Sequence, residues 1–90
     1  MIKQLYNNDH YKVMEVSLNS GEGLSQHKAT SEAFLIVQQG TGKIIFSDNE
    51  VELQQGSTVV IPADKEHSLE VNDLFRACVI FPTGAGIKFL

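Results

Sequence analysis

Turn-forming residues recur along this chain at intervals too short to leave room for ordinary helices. Asn19-Ser20-Gly21, Gly40-Thr41-Gly42, Asp48-Asn49, Gln54-Gln55-Gly56, Pro62-Ala63-Asp64, Asn72-Asp73 and Pro82-Thr83-Gly84 punctuate runs of mostly five to eight residues rich in Val, Ile, Phe and Leu. Gly, Pro, Asn and Asp supply the backbone angles that turns need, whereas β-branched and aromatic side chains suit a pleated surface. The pattern predicts an all-β chain of about seven or eight strands, a small sandwich or barrel in which inward and outward positions alternate.

One stretch shows the facing of a strand, and two allow pairing to be predicted. Met14, Val16 and Leu18 alternate with Val13, Glu15 and Ser17, which makes a half-buried strand ending at the Asn19 turn. A two-residue turn at Asp48-Asn49 sets Phe46 opposite Val51 and Ile44 opposite Leu53, with Glu50 and Glu52 on the other face. A two-residue hairpin at Asn72-Asp73 pairs Val71 with Leu74, Leu69 with Arg76 and His67 with Cys78, bringing a thiol and the lone guanidinium to the face of His67. An odd loop there does the reverse and turns Phe75, Ala77, Val79 and Phe81 inward. Both parities remain open.

Ninety residues make one domain, 1–90. A chain of this size buries only about 60% of its unfolded surface, so pairing into a homodimer adds stability. Phe34, Ile36 and Val13 fall on the face opposite the inward one and suit such a contact. The net charge of −4, with Arg76 the only arginine, leaves no basic face for nucleic acid. No run approaches the roughly 18 consecutive apolar residues of a membrane helix. The opening Met1-Ile2-Lys3-Gln4-Leu5-Tyr6 lacks the apolar core of a secretion signal, and the single Cys78 excludes an internal disulfide; both point to the cytoplasm.

Two spaced motifs stand out. Gly21 is followed after five residues by His27, Lys28 and Ala29, after three more by Ala33, and after six more by Gly40. Gly56 is followed after five residues by Pro62, Ala63 and Asp64, after two more by His67, and after three more by Val71. This frame, spanning roughly Lys12 to Pro82, resembles the cupins, whose fold is a double-stranded β-helix or jelly-roll barrel. Their first motif runs Gly, five residues, His-x-His, three or four residues, Glu, six residues, Gly. The second runs Gly, five residues, Pro-x-Gly, two residues, His, three residues, Asn.

The resemblance implies a metal held by three histidines and a glutamate. His27 and His67 carry over to that set, but Ala29 and Ala33 stand where the second histidine and the carboxylate belong. A methyl group has no lone pair to donate, and catalytic metals ordinarily take three protein ligands, so two imidazoles make at best a weakly held divalent site. Glu32 lies one residue early and faces the other way on a regular strand; only a β-bulge brings it round. The small alanines leave space, so the expected site is a metal-free cavity for a small molecule. His27, His67, Ala29, Ala33, Leu35 and Val37 would line it, joined by Arg76 and Cys78 if the short hairpin forms. Three functions follow: a small-ligand-binding barrel with no cofactor, a metal-dependent oxygenase or isomerase recruiting a third donor from Cys78, Glu32 or substrate, and a structural or regulatory dimerisation domain. Gln39-Gly40-Thr41-Gly42-Lys43 lacks the first glycine, the Ser/Thr and the following helix of a phosphate loop, and is set aside.

Overall fold

A computed structural model describes all residues, 1–90, and contains only strands and turns. In chain order these are β1 (Ile2–Asn7), β2 (Tyr11–Leu18), β3 (Gly23–Ala29), β4 (Ala33–Gln39), β5 (Gly42–Phe46), β6 (Glu50–Leu53), β7 (Thr58–Ile61), β8 (His67–Val71), β9 (Phe75–Pro82) and β10 (Ile87–Phe89). They form two five-stranded antiparallel sheets, ordered β1-β2-β9-β4-β7 and β10-β3-β8-β5-β6. From β2 onward the chain passes from one sheet to the other at every connection except β5–β6. That winding is a jelly-roll barrel of the double-stranded β-helix type. No helix is long and apolar enough to cross a membrane.

The alternation in the sequence places the core. On β4, Ala33, Leu35 and Val37 are buried while Phe34 and Gln38 are exposed; on β9, Phe75, Ala77 and Phe81 are buried while Arg76 is exposed. Phe75, Ile44 and Val37 are the largest fully buried side chains. Leu18 faces Phe75 across β2 and β9, and Val37 faces Ala77 across β4 and β9, so one end of the barrel is filled with apolar side chains. The other end is hollow.

The parity open at Asn72-Asp73 is decided, and one predicted pairing is corrected. The Asn72-Asp73 segment is not a hairpin, because β8 pairs with β3 and β5 whereas β9 pairs with β2 and β4. The turn carries the chain between sheets, which resets the facing of β9 and turns Phe75, Ala77, Val79 and Phe81 inward. In the β5–β6 hairpin, Ile45 faces Glu50, Ile44 faces Val51 and Gly42 faces Leu53, a slip of two residues from the predicted register. A two-residue turn of the twisted kind needs positive φ at both central residues, and Asp64 is the only non-glycine residue with positive φ. Instead the turn moves one residue earlier to Ser47-Asp48, flanked by Phe46 and Asn49, with the Phe46 amide donating to the Asn49 carbonyl at 2.8 Å. An even slip preserves facing, so Ile44 and Leu53 still point inward and both glutamates outward.

Gly40 and Gly56 adopt φ of 88° and 90°, a region costly for residues with a Cβ. Around Gly56 a Cβ would meet open space, whereas at Gly40 it would press on the Leu74 carbonyl oxygen and lie 3.0 Å from the Phe75 Cα. Gly56→Ala is therefore expected to cost about 1–2 kcal/mol from backbone strain. Gly40→Ala should cost at least about 2 kcal/mol more, since backbone must move as well. Urea denaturation of the two variants checks this, and equal losses would contradict the close approach of Gly40 to the start of β9.

Candidate functional site

The hollow end is organised by one cross-strand pair. β3 and β8 are neighbours, and His27 lies directly opposite His67. Leu24, three residues before His27, also faces inward, which a regular strand forbids because facing alternates with every residue. A register shift between Leu24 and His27 resolves this: β3 advances three residues while β8 advances two, from Leu69 to His67. The extra residue is a β-bulge, and it aims His27 and Ala29 into the barrel.

The two imidazoles are 4.3 Å apart between ring centroids and tilted by 60°. Phe89 of β10 lies against His27 at 5.0 Å, and Phe46 against His67 at 5.8 Å. Each ring is held by its own backbone two residues earlier: Nδ1 of His27 is 2.7 Å from the Ser25 carbonyl, and Nδ1 of His67 is 2.8 Å from the Lys65 carbonyl. A carbonyl only accepts, so in the neutral ring Nδ1 carries the proton and Nε2 keeps a free lone pair.

Burial holds the His67 imidazole below its ordinary 6.5, partly opposed by the hydrogen bond to the Lys65 carbonyl and reinforced by His27. The folded chain therefore takes up this proton less readily than the unfolded one. The stability contributed by neutral His67 is complete above about pH 6.5 and is lost as pH falls from there through the lower folded-state value. Denaturant midpoints measured from pH 8 to 4.5 should fall across that window, and His67→Gln should flatten the fall. An unchanged slope in the variant would remove His67 as its cause.

The cavity around this pair has a volume of about 180 Å³, and fourteen of its sixteen lining residues are hydrophobic. The other two are His27 and His67, so the only side-chain nitrogens in its wall belong to the imidazoles. Ala29, Ala33 and Leu35 are brought to the wall as expected from sequence. Val37 points inward but is packed in the core beyond the cavity. Arg76 and Cys78 are corrected: the reset facing of β9 puts both on the outer surface of its sheet, where Arg76 Nη2 is 3.5 Å from Gln39 Oε1 and Cys78 sits between Glu15 and Ile36. Sequence reasoning missed Met14 and Leu24 as lining residues, and also Ile87 and Phe89 of β10; Val79 and Phe81 line the cavity too. The odd-loop parity of β9 would have supplied Val79 and Phe81. No pattern announces a three-residue strand such as β10.

The residues present do not fit the four-donor metal set. Ala29 and Ala33 occupy two of its places in the cavity wall, and no third His, Cys, Asp or Glu gathers with His27 and His67. Glu32 is exposed next to the inward Ala33, and Cys78 belongs to the opposite face of its sheet. Neither proposed rescue reaches the pair.

No curated protein matches the chain by sequence. Among solved structures, a cupin superfamily protein from Desulfitobacterium hafniense superposes with a TM-score of 0.85 at 22% identity, over 91% of this chain and 75% of that one. A cupin-2 domain containing protein from Shewanella frigidimarina gives 0.80 at 24% identity, over 91% and 79%. The polyketide cyclase RemF from Streptomyces resistomycificus gives 0.87 at 16% identity, over 99% and 69%. At such identities the likeness is one of fold. The sequence itself matches the Cupin domain family over residues 14–84, which takes in both motifs, the seven strands from β3 to β9 and most of β2; the chain belongs to the cupin family.

Proposed function

We propose that this cupin binds a small organic molecule in its barrel cavity and does not run metal-dependent catalysis. The observation that carries the reading is the imidazole pair, 4.3 Å apart in a wall otherwise apolar. An apolar cavity of about 150 Å³ is large enough to take up benzene, so about 180 Å³ accommodates a small ring with a substituent. The fold hosts enzymes, as the polyketide cyclase illustrates, but fold alone does not transfer an activity. Against metal chemistry stand the two missing donors. Elemental analysis of protein purified without added metal tests this directly. Substoichiometric traces are expected, and near-stoichiometric iron, manganese, nickel or zinc would overturn the reading in favour of a metal-dependent enzyme.

A second reading concerns the outer face of the β1-β2-β9-β4-β7 sheet. Tyr6, Val13, Ile80, Phe34 and Val60 follow one another in register across all five strands. Tyr6, Phe34 and Val60 are exposed, and no charge interrupts the row. An isologous contact sets the same patch against itself, so an uncharged row meets its copy without like-charge repulsion. We infer a homodimer through this face. Light scattering at micromolar concentration should give twice the 9.9 kDa chain mass, and Phe34→Lys should halve it. A wild-type monomer would end this proposal.

A further inference from the structure

The cavity has a chemical polarity that selects its occupant. Both imidazoles spend their Nδ1 proton on backbone carbonyls, at 2.7 and 2.8 Å, and neither Nε2 has a partner within the protein. Every other lining side chain is hydrophobic. The wall therefore offers two lone pairs and no side-chain donor or cation. An anionic ligand would lose its hydration and gain nothing in return. A purely apolar ligand would leave both nitrogens unmet, at a cost set by their own desolvation. A neutral molecule with an O–H or N–H satisfies them, one donor for each nitrogen it can reach.

Resting on the cavity reading above, we propose that the ligand is a neutral ring-sized molecule whose apolar body fills the Leu35, Ala33 and Phe81 side and whose hydroxyl or N–H donates to Nε2 of His67 or His27. The bulge in β3 has a part in this, since it sets His27 on the same face as its cross-strand partner. Phe89, against His27, flanks the polar end with an aromatic surface. The site thus reads the presence of a donor rather than a charge.

Three probes separate the possibilities: benzene, phenol and benzoate, titrated calorimetrically at pH 7.5, where a depressed His67 is neutral. Without an acceptor in the wall, phenol would bind more weakly than benzene, because its hydroxyl must leave water. With the two Nε2 acceptors it is expected to bind about fivefold tighter than benzene, the effect of one ordinary hydrogen bond. Benzoate is expected to bind at least about tenfold more weakly than phenol. Histidine ¹⁵N spectra supply a second readout. In the free protein His27 and His67 should show protonated Nδ1 and unprotonated Nε2, and phenol should shift their Nε2 resonances while leaving His10 unmoved. His67→Phe is expected to bring the phenol-to-benzene ratio toward one. Equal binding of phenol and benzene, or benzoate as the tightest of the three, overturns the donor requirement and leaves the cavity reading standing. If neither benzene nor phenol binds, the cavity reading fails and this inference with it.

Discussion

The double substitution Ala29→His, Ala33→Glu is expected to convert the cavity of this protein into a tight divalent-metal site. Ala29 follows His27 by two residues on β3, so the two share the inward face that the bulge creates. Ala33, the first residue of β4, enters the same wall from the other sheet. Three imidazoles and a carboxylate would then converge, where the natural chain offers two imidazoles and two methyls. Without metal, the variant should be less stable than the natural chain, because a carboxylate and an imidazole would be placed in an apolar wall. Adding metal at one hundred times its dissociation constant should restore about 2.7 kcal/mol, and for a chain of this size that corresponds to a rise in melting temperature of about 10–20 °C. The natural chain should show no such rise. Uptake by the natural chain equal to that of the variant would mean that donors other than those at 29 and 33 complete a site. A folded variant that ignores metal would mean that the four positions do not converge.

The contrast behind that experiment was visible in the sequence, because it lies in residue identity at fixed spacing. The all-β class was equally visible: each run between turns is too short for a helix, and the alternation in β4 and β2 names the inward residues directly. What local pattern could not supply was the set of long-range choices. Asn72-Asp73 has the composition of a hairpin turn, yet it links strands of different sheets, and only the global winding decides that. The facing of Arg76 and Cys78 follows from that choice. Asp48-Asn49 tolerates positive φ but does not adopt it, so the register slipped by two without harm to the facing. The bulge in β3 is harder still. Leu24 and His27 differ by an odd number of positions, and nothing in Ser25-Gln26 shows that the pair must share a face. The edge strands β1 and β10 are exposed throughout and carry little apolar periodicity, so Ile87 and Phe89 could not be foreseen beside the histidines.

The parity of β9 can be tested with two adjacent substitutions that should differ sharply. Phe75→Ala is expected to remove about 3–5 kcal/mol, because the ring is fully buried where β9 faces Leu18 of β2 and its loss leaves a cavity in the packed end of the barrel. For a chain of ninety residues this lowers the melting temperature by about 15–30 °C, a large share of a total stability that for such domains is about 5–15 kcal/mol. Leu74→Ala, one residue earlier, alters a side chain 57% exposed on the crossing turn and should cost no more than about 0.5 kcal/mol. The short-hairpin alternative reverses the order, since it sends Leu74 and Arg76 inward and leaves Phe75 in solvent. Thermal melts of the two variants at equal concentration decide between them. A larger loss at Leu74 than at Phe75 would return Arg76 and Cys78 to the cavity, and with them a cation and a thiol beside His67. The donor-selective wall depends on their being elsewhere.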